Sequence, residues 1–132
     1  MSLLILIVED NEANQMLAQA VLELEGYRVA VAGSADEAGE LLRGETPALI
    51  LMDLQLPGRD GLTFTRELKS DPSTRDIPIV ALTAHAMHGD RDLAFSAGCA
   101  GYIAKPIDTR TFGHQVRYFV TDSAAGDRLV AR

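Results

Sequence analysis

The sequence is short of several residue types, and each shortage excludes a class of protein. A single cysteine, Cys99, cannot form an internal disulfide, and it has no nearby His or Cys for metal or redox chemistry. Twelve basic residues against nineteen acidic ones give a net charge of -7, which opposes direct binding to nucleic acid. No apolar run approaches the roughly 20 residues that cross a membrane. We therefore expect a cytoplasmic protein without membrane insertion.

Short aliphatic segments alternate with longer segments of helical period, which is typical of βαβ units. The strands are predicted at Leu3 to Val8, Tyr27 to Ala32, Leu49 to Asp53, Ile77 to Leu82 and Gly101 to Ala104. The alternation predicts an α/β fold with a doubly wound five-stranded parallel sheet and five helices. The common doubly wound order, 2-1-3-4-5, places the first and third strands side by side at the centre. We expect one domain over residues 1–122 and a flexible tail over 123–132.

The helices are predicted from apolar periodicity and from their end signals. Gly26 and Gly98 stand where two helices should end, Ser34 where the second should begin, and the last is expected over Thr109 to Val120. The expected inward faces are Ala13, Met16, Leu17, Ala20, Val21 and Leu24; Ala35, Ala38, Leu41 and Leu42; Leu62, Thr65 and Leu68; and Phe112, Val116, Phe119 and Val120.

The apolar run from Leu49 to Met52 leads directly into a carboxylate, Asp53. A strand that is apolar on both faces is typical of the centre of a parallel sheet. Ligands of open α/β sheets collect at the carboxyl ends of such strands. Asp53 is therefore a candidate site residue.

Polar residues follow the other strands in the same way. If the topology holds, Glu9, Asp10, Asp53, Thr83 and Lys105 meet at one edge of the sheet. Crowded carboxylates repel one another unless a cation compensates, and hard oxygen ligands without thiolates favour Mg²⁺ over zinc. A cation, a lysine and a hydroxyl are what phosphoryl transfer requires, with Asp53 as a candidate nucleophile.

Four motifs in this order resemble the receiver domain of two-component response regulators, over about Leu3 to Val120. They are Val8-Glu9-Asp10-Asn11, Met52-Asp53-Leu54-Gln55-Leu56-Pro57 with Asp60-Gly61, Ala81-Leu82-Thr83-Ala84, and Tyr102-Ile103-Ala104-Lys105-Pro106-Ile107. The resemblance implies the flavodoxin-like receiver fold. It also implies a partner, a sensor histidine kinase or histidine phosphotransfer protein, and a downstream protein target.

The resemblance also implies roles for single residues. Asp53 would accept the phosphoryl group, Thr83 and Lys105 would contact it, and Tyr102 would turn inward as Thr83 moves. Mg²⁺ would be bound by Asp10, Asp53 and the Gln55 carbonyl, with Glu9 acting directly or through water. The bond between Lys105 and Pro106 would be cis. Gln55 and His85, two residues after Asp53 and Thr83, would tune the lifetime of the phosphoryl group.

Other interpretations remain open. Thr83 could cap the following helix, Lys105 could be a surface lysine, and Tyr102 could serve packing alone. For the whole chain, one alternative is a Mg²⁺-dependent phosphohydrolase, although such enzymes want a second Asp where Gln55 stands. Others are a receiver that binds without phosphorylation and a fragment excised from a hybrid histidine kinase.

Overall fold

The computed structural model describes residues 2–58, 60–84 and 89–129, with side chains up to residue 120. Its elements are β1 Leu4–Val8, α1 Glu12–Leu24, β2 Arg28–Ala32, α2 Ala35–Gly44, β3 Leu49–Asp53, α3 Gly61–Ser70, β4 Ile79–Thr83, α4 Arg91–Ala97, β5 Gly101–Ala104 and α5 Phe112–Leu129. Within those ranges no helix is long and apolar enough to span a membrane.

The five strands form one parallel sheet of order β2-β1-β3-β4-β5, which confirms the predicted topology. The strand register keeps the carboxyl ends level. Val8 pairs with Met52, Asp53 with Leu82, and Thr83 with Ala104. The residues that follow β1, β3, β4 and β5 are therefore brought to one edge.

Alternate residues of the central strands enter two cores on opposite faces of the sheet, because side chains of a strand point to alternate sides. On β3, Ile50 and Met52 belong to the core on one face, and Leu49 and Leu51 to the core on the other. All five residues of β3 are buried. This two-sided burial confirms the prediction made from the uninterrupted apolar run.

Most of the inward face predicted for α1 is wrong, although Val21 does pack against the core. Met16, Leu17 and Leu24 are exposed, Leu24 to 88%, while Ala18 and Leu22 are the buried residues of the helix. The helix is rotated because two polar residues of its first turns contact Glu9, as described below. Apolar periodicity could not indicate an inward face that begins with polar side chains.

Smaller differences have local causes. Leu41 of α2 is 42% exposed, and Phe64 of α3, which the periodicity missed, is buried. Strand β4 begins at Ile79 rather than Ile77, because the Ile77 N–H donates to the Thr74 carbonyl in the preceding turn. Helix α5 extends to Leu129, past the predicted end at Val120. The flexible tail over 123–132 stays a prediction.

Three helices begin with the capping arrangement that their sequences favour. The side chains of Asn11, Ser34 and Asp60 accept hydrogen bonds from backbone N–H groups three residues later, in α1, α2 and α3. The glycines predicted to end α1 and α4, Gly26 and Gly98, have positive φ angles of 95° and 111°.

Candidate functional site

Three carboxylates lie together at the carboxyl edge of the sheet. Glu9 follows β1, and Asp53 ends β3. Glu9, Asp10 and Asp53 each offer one carboxylate oxygen, and these three oxygens lie within 4.8 Å of one another. Glu9 and Asp53 are 1% and 2% exposed, whereas Asp10 is exposed. The cluster therefore has two buried members and one that faces solvent.

Lys105 supplies positive charge to the buried members. Its Nζ lies 3.2 Å from Oδ1 of Asp53 and 3.4 Å from Oε1 of Glu9. The lysine side chain is itself only 15% exposed, so the pairing is weakly screened by water. The interpretation of Lys105 as an ordinary surface lysine does not fit this position.

Hydrogen bonds fix the orientation of the two buried carboxylates. Oδ1 of Asp53 accepts from the backbone N–H of Gln55 at 2.9 Å. Oε1 of Glu9 accepts from Nδ2 of Asn14 at 2.8 Å, and Nε2 of Gln15 donates to the Glu9 carbonyl. The sequence analysis did not identify Asn14 and Gln15 as partners of Glu9, although polar residues in the first turns of the helix that follows Glu9 could have indicated it.

The pKa values of Glu9 and Asp53 move in opposite directions. Burial and the neighbouring Asp53 raise the pKa of Glu9 to about 7. Burial also acts to raise the pKa of Asp53, but hydrogen bonds from Glu9 and the Gln55 N–H, together with Lys105, outweigh it and lower that pKa. Of the two buried carboxylates, Asp53 is the one kept ionised near neutral pH.

The donor set fits a hard divalent cation. In the ionised Glu9 carboxylate, Oε2 is buried without a hydrogen-bond partner in the described residues. Such an atom is costly unless a proton or a cation reaches it. Three carboxylates and no thiolate favour Mg²⁺ or a similar ion, with exposed Asp10 leaving room for water ligands.

Thr83 is buried at the end of β4, beside β3, and its hydroxyl is engaged with α4. Oγ1 of Thr83 donates to Oδ2 of Asp90 at 2.8 Å. Gly89 and Asp90 already lie in a π-helical turn that leads into α4. Residues 85–88 lie outside the described part of the chain, so the capping interpretation of Thr83 stays open. The sequence analysis did not identify Asp90 as a partner of Thr83.

The other predicted residues lie around this edge. Tyr102 of β5 is half-buried, and its ring contacts Phe95 and Arg91 of α4. The peptide bond between Lys105 and Pro106 is cis. The side chain of Gln55 is exposed, and His85 falls outside the described residues.

Gly61 holds the start of α3 against the site. A Cβ atom at this position would lie 2.2 Å from the backbone oxygen of Asp53 and 2.9 Å from the Cα of Leu54. No side chain can be accommodated there without moving the backbone around Asp53. The Asp60-Gly61 motif therefore has a steric role beside the acidic site.

Comparison with known proteins agrees with this geometry. The family described as the response regulator receiver domain matches residues 5–117. The polar-differentiation response regulator DivK of Brucella ovis is 42% identical over 119 residues, which cover 90% of this chain and 97% of the relative.

Two solved structures are similar in fold. The receiver domain of the sensor histidine kinase PA1611 of Pseudomonas aeruginosa, which has a magnesium ion coordinated in its active site cleft, shares 36% identity and a TM-score of 0.83, covering 92% of this chain and 99% of that one. The receiver domain of a signal transduction histidine kinase of Syntrophus aciditrophicus shares 29% identity and a TM-score of 0.82, covering 91% of each chain.

The matched residues 5–117 include all the candidate site residues from Glu9 to Lys105. Receiver domains of response regulators are in general non-enzymatic signalling modules that accept phosphate from histidine kinases and act on downstream targets. The chain belongs to this family, and it is a receiver domain of a response regulator in two-component signalling.

Proposed function

We propose that Asp53 accepts a phosphoryl group from a phosphohistidine of a sensor histidine kinase or a histidine phosphotransfer protein. The observation that carries this proposal is the environment of Asp53. Its carboxylate is buried, ionised and held by the Gln55 N–H, and Lys105 lies 3.2 Å away. A fixed, ionised carboxylate with an adjacent cation is suited to nucleophilic attack on phosphorus.

In the proposed step, an oxygen of Asp53 forms a bond to phosphorus, and the bond between phosphorus and the histidine nitrogen breaks. The histidine nitrogen keeps the electron pair of that bond and is later protonated. Lys105 neutralises charge on the transferred oxygens, and the Thr83 hydroxyl donates to one of them. Hydrolysis of the aspartyl phosphate returns Asp53 and inorganic phosphate, so the domain catalyses only its own modification and recovery.

Asp10, Asp53 and the carbonyl of Gln55 are the proposed ligands of Mg²⁺, with Glu9 acting directly or through water. The fit rests on the proximity of the carboxylates and on the unpartnered Oε2 of Glu9. When bound, Mg²⁺ would neutralise the carboxylates and the incoming phosphoryl oxygens.

The proposed output is a changed surface formed by α4, β5 and α5, which docks to a downstream protein. Large apolar side chains are exposed on both helices, Leu93 and Phe95 on α4 and Tyr118 on α5. Tyr102 on β5 contacts Phe95 and Arg91 of α4 and is the proposed link from Thr83 to this surface. No direct contact with nucleic acid is proposed, given the net charge of -7.

Intact-mass measurement after incubation with acetyl phosphate and Mg²⁺ tests this function. We expect an adduct of about 80 Da, one phosphoryl group, that is absent without Mg²⁺ and in the Asp53→Asn variant. An unmodified wild-type protein that also fails to bind beryllofluoride would contradict the proposal. Turnover of external phosphate esters would instead support the phosphohydrolase alternative.

We also propose that Gln55 and His85 set how easily water attacks the phosphorylated Asp53. This proposal is supported by the exposure of the Gln55 side chain, two residues beyond Asp53. Each residue would be replaced by Ala and the decay of the phosphoryl group followed by mass spectrometry. Unchanged lifetimes in both variants would refute this role.

A further inference from the structure

The start of α4 contacts both residues to which the proposed switch is assigned. Asp90 accepts the hydrogen bond of Thr83, and the next residue, Arg91, places its guanidinium carbon 5.9 Å from the centre of the Tyr102 ring. Phe95, one turn later, meets the same ring edge-on at 6.4 Å. Two consecutive residues of one helix turn therefore engage two residues from two different strands.

The carboxylate of Asp90 does not cap α4. Gly89 and Asp90 form a π-helical turn that leads into α4, and Asp90 has helical angles, φ -60° and ψ -32°. An N-cap residue is ordinarily extended, and its side chain accepts from a backbone N–H of the first turn. Asp90 makes no such bond, and its carboxylate accepts from the Thr83 hydroxyl.

A hydroxyl group has one proton to donate. While Thr83 donates that proton to Asp90, it cannot also donate it to a phosphoryl oxygen on Asp53. A hydrogen bond to a charged acceptor is also stronger than one between neutral groups. The bond to Asp90 therefore competes directly with the contact that Thr83 is proposed to make after phosphorylation.

We infer that Asp90 is a positioning residue that holds the Thr83 hydroxyl away from Asp53 in the unphosphorylated protein and so opposes activation. This inference rests on the proposed function, since it concerns the same phosphorylated site. Arg91 acts in the same direction by holding the ring of Tyr102 against α4. Together they set the fraction of unphosphorylated molecules that already has the activated arrangement.

The variants that test Asp90 are Asp90→Asn and Asp90→Ala, with Asp92→Asn as the matched control. Asp90→Asn keeps an acceptor but loses the charge, and Asp90→Ala loses the acceptor as well. Asp92 is an exposed acid in the same turn. The control therefore makes the same charge change near the site without removing the partner of Thr83.

The first measurement needs no phosphorylation. Three-bond couplings to the Thr83 methyl group report the rotamer of its side chain in the unmodified protein. We expect one dominant rotamer in the wild type and in Asp92→Asn, and averaging in Asp90→Asn and more strongly in Asp90→Ala. An unchanged rotamer in both Asp90 variants would overturn the inference, whether or not the protein accepts phosphate.

The second measurement is affinity for beryllofluoride in the presence of Mg²⁺, by calorimetry. We expect affinity to rise about tenfold in Asp90→Ala and by a smaller factor in Asp90→Asn, because more molecules already have the binding-competent arrangement. Affinity in Asp92→Asn should match the wild type. Equal affinities in all four proteins would overturn the role of Asp90, whereas a wild type that binds no beryllofluoride would overturn the proposed function itself.

Discussion

Helices α3 and α4 both begin with an aspartate beside the acidic site, and they use it differently. Oδ1 of Asp60 accepts from the Thr63 N–H at 2.7 Å, with an extended backbone typical of an N-cap. The Asp90 carboxylate accepts from the side chain of Thr83, and its backbone is already helical. Asp60 therefore caps its helix, whereas Asp90 contacts Thr83 of the site.

The difference shows which side of the site is fixed. The start of α3 is capped, and Gly61 packs directly against the backbone of Asp53. Asp90 and Arg91, at the start of α4, contact Thr83 and Tyr102. We conclude that the start of α3 supports the backbone of Asp53, whereas the start of α4 contacts the two residues to which the proposed switch is assigned.

The largest expected effect comes from disturbing the fixed side. Gly61→Ala would place a methyl group 2.2 Å from the backbone oxygen of Asp53. We expect the free energy of unfolding to fall by about 3 kcal/mol, with loss of Mg²⁺ binding. Urea unfolding measures the first and calorimetry the second.

Gly39→Ala is the control for Gly61→Ala. A Cβ atom at Gly39, inside α2, meets nothing within 4 Å. Alanine there should change the free energy of unfolding by no more than about 1 kcal/mol, in the stabilising direction. Equal effects of the two substitutions would contradict the fixed role assigned to the start of α3.

Mg²⁺ binding should depend on the carboxylates of the acidic cluster and not on that of Asp90. At a concentration of roughly 100 times Kd, Mg²⁺ should stabilise the wild type by about 2.7 kcal/mol, and chelation should reverse this. Asp10→Asn should lose most of the effect and Asp90→Asn should keep it, since only Asp10 belongs to the acidic cluster. Thermal unfolding with and without Mg²⁺ measures both, and an equal loss in the two variants would argue against this division.

Removal of the α3 cap should affect stability alone. Asp60→Ala deletes the acceptor of the Thr63 N–H, which should lower the free energy of unfolding by about 1 kcal/mol. Asp60→Asn, which retains a capping oxygen, should lose much less. The Thr83 rotamer should remain that of the wild type in both variants, and a changed rotamer would show that the two helix starts are not independent.

The smallest effect is expected for beryllofluoride on the alkylation of Cys99, at the other end of α4. Cys99, just after this helix, is buried, and burial raises the pKa of its thiol to about 11. We expect alkylation at pH 8 to be at least about a hundredfold slower in the folded protein than in urea, because the thiolate is the reactive form. The rate should be the same with and without beryllofluoride; faster alkylation with it would mean that the whole helix moves.

The fold could be predicted from the sequence because its strands are unambiguous. The run Leu49 to Asp53 corresponds to β3 without error. The alternation of segments predicted a parallel sheet, and the order expected from the common doubly wound topology is the observed one. The face of α1 could not be predicted in the same way. Asn14 and Gln15 contact Glu9 through polar side chains, a requirement that apolar periodicity does not contain.

The acidic site was predictable and its α4 neighbour was not. Glu9, Asp10, Asp53 and Lys105 each follow a strand, so the topology alone brings them to one edge. Asp90 stands before a helix, where an aspartate usually means a cap. Only the three-dimensional structure shows that its carboxylate contacts Thr83.

The pairing of Lys105 with Glu9 joins residues 96 positions apart in the chain. Closing a loop of that length costs chain entropy before the contact contributes. The acidic pair of Glu9 and Asp53 thus acquires this countercharge only when β5 has joined the sheet, since Lys105 directly follows β5. A chain that stops short of β5 would carry every carboxylate of the cluster without the lysine that compensates them, so the electrostatic balance of the site depends on the last strand of the sheet.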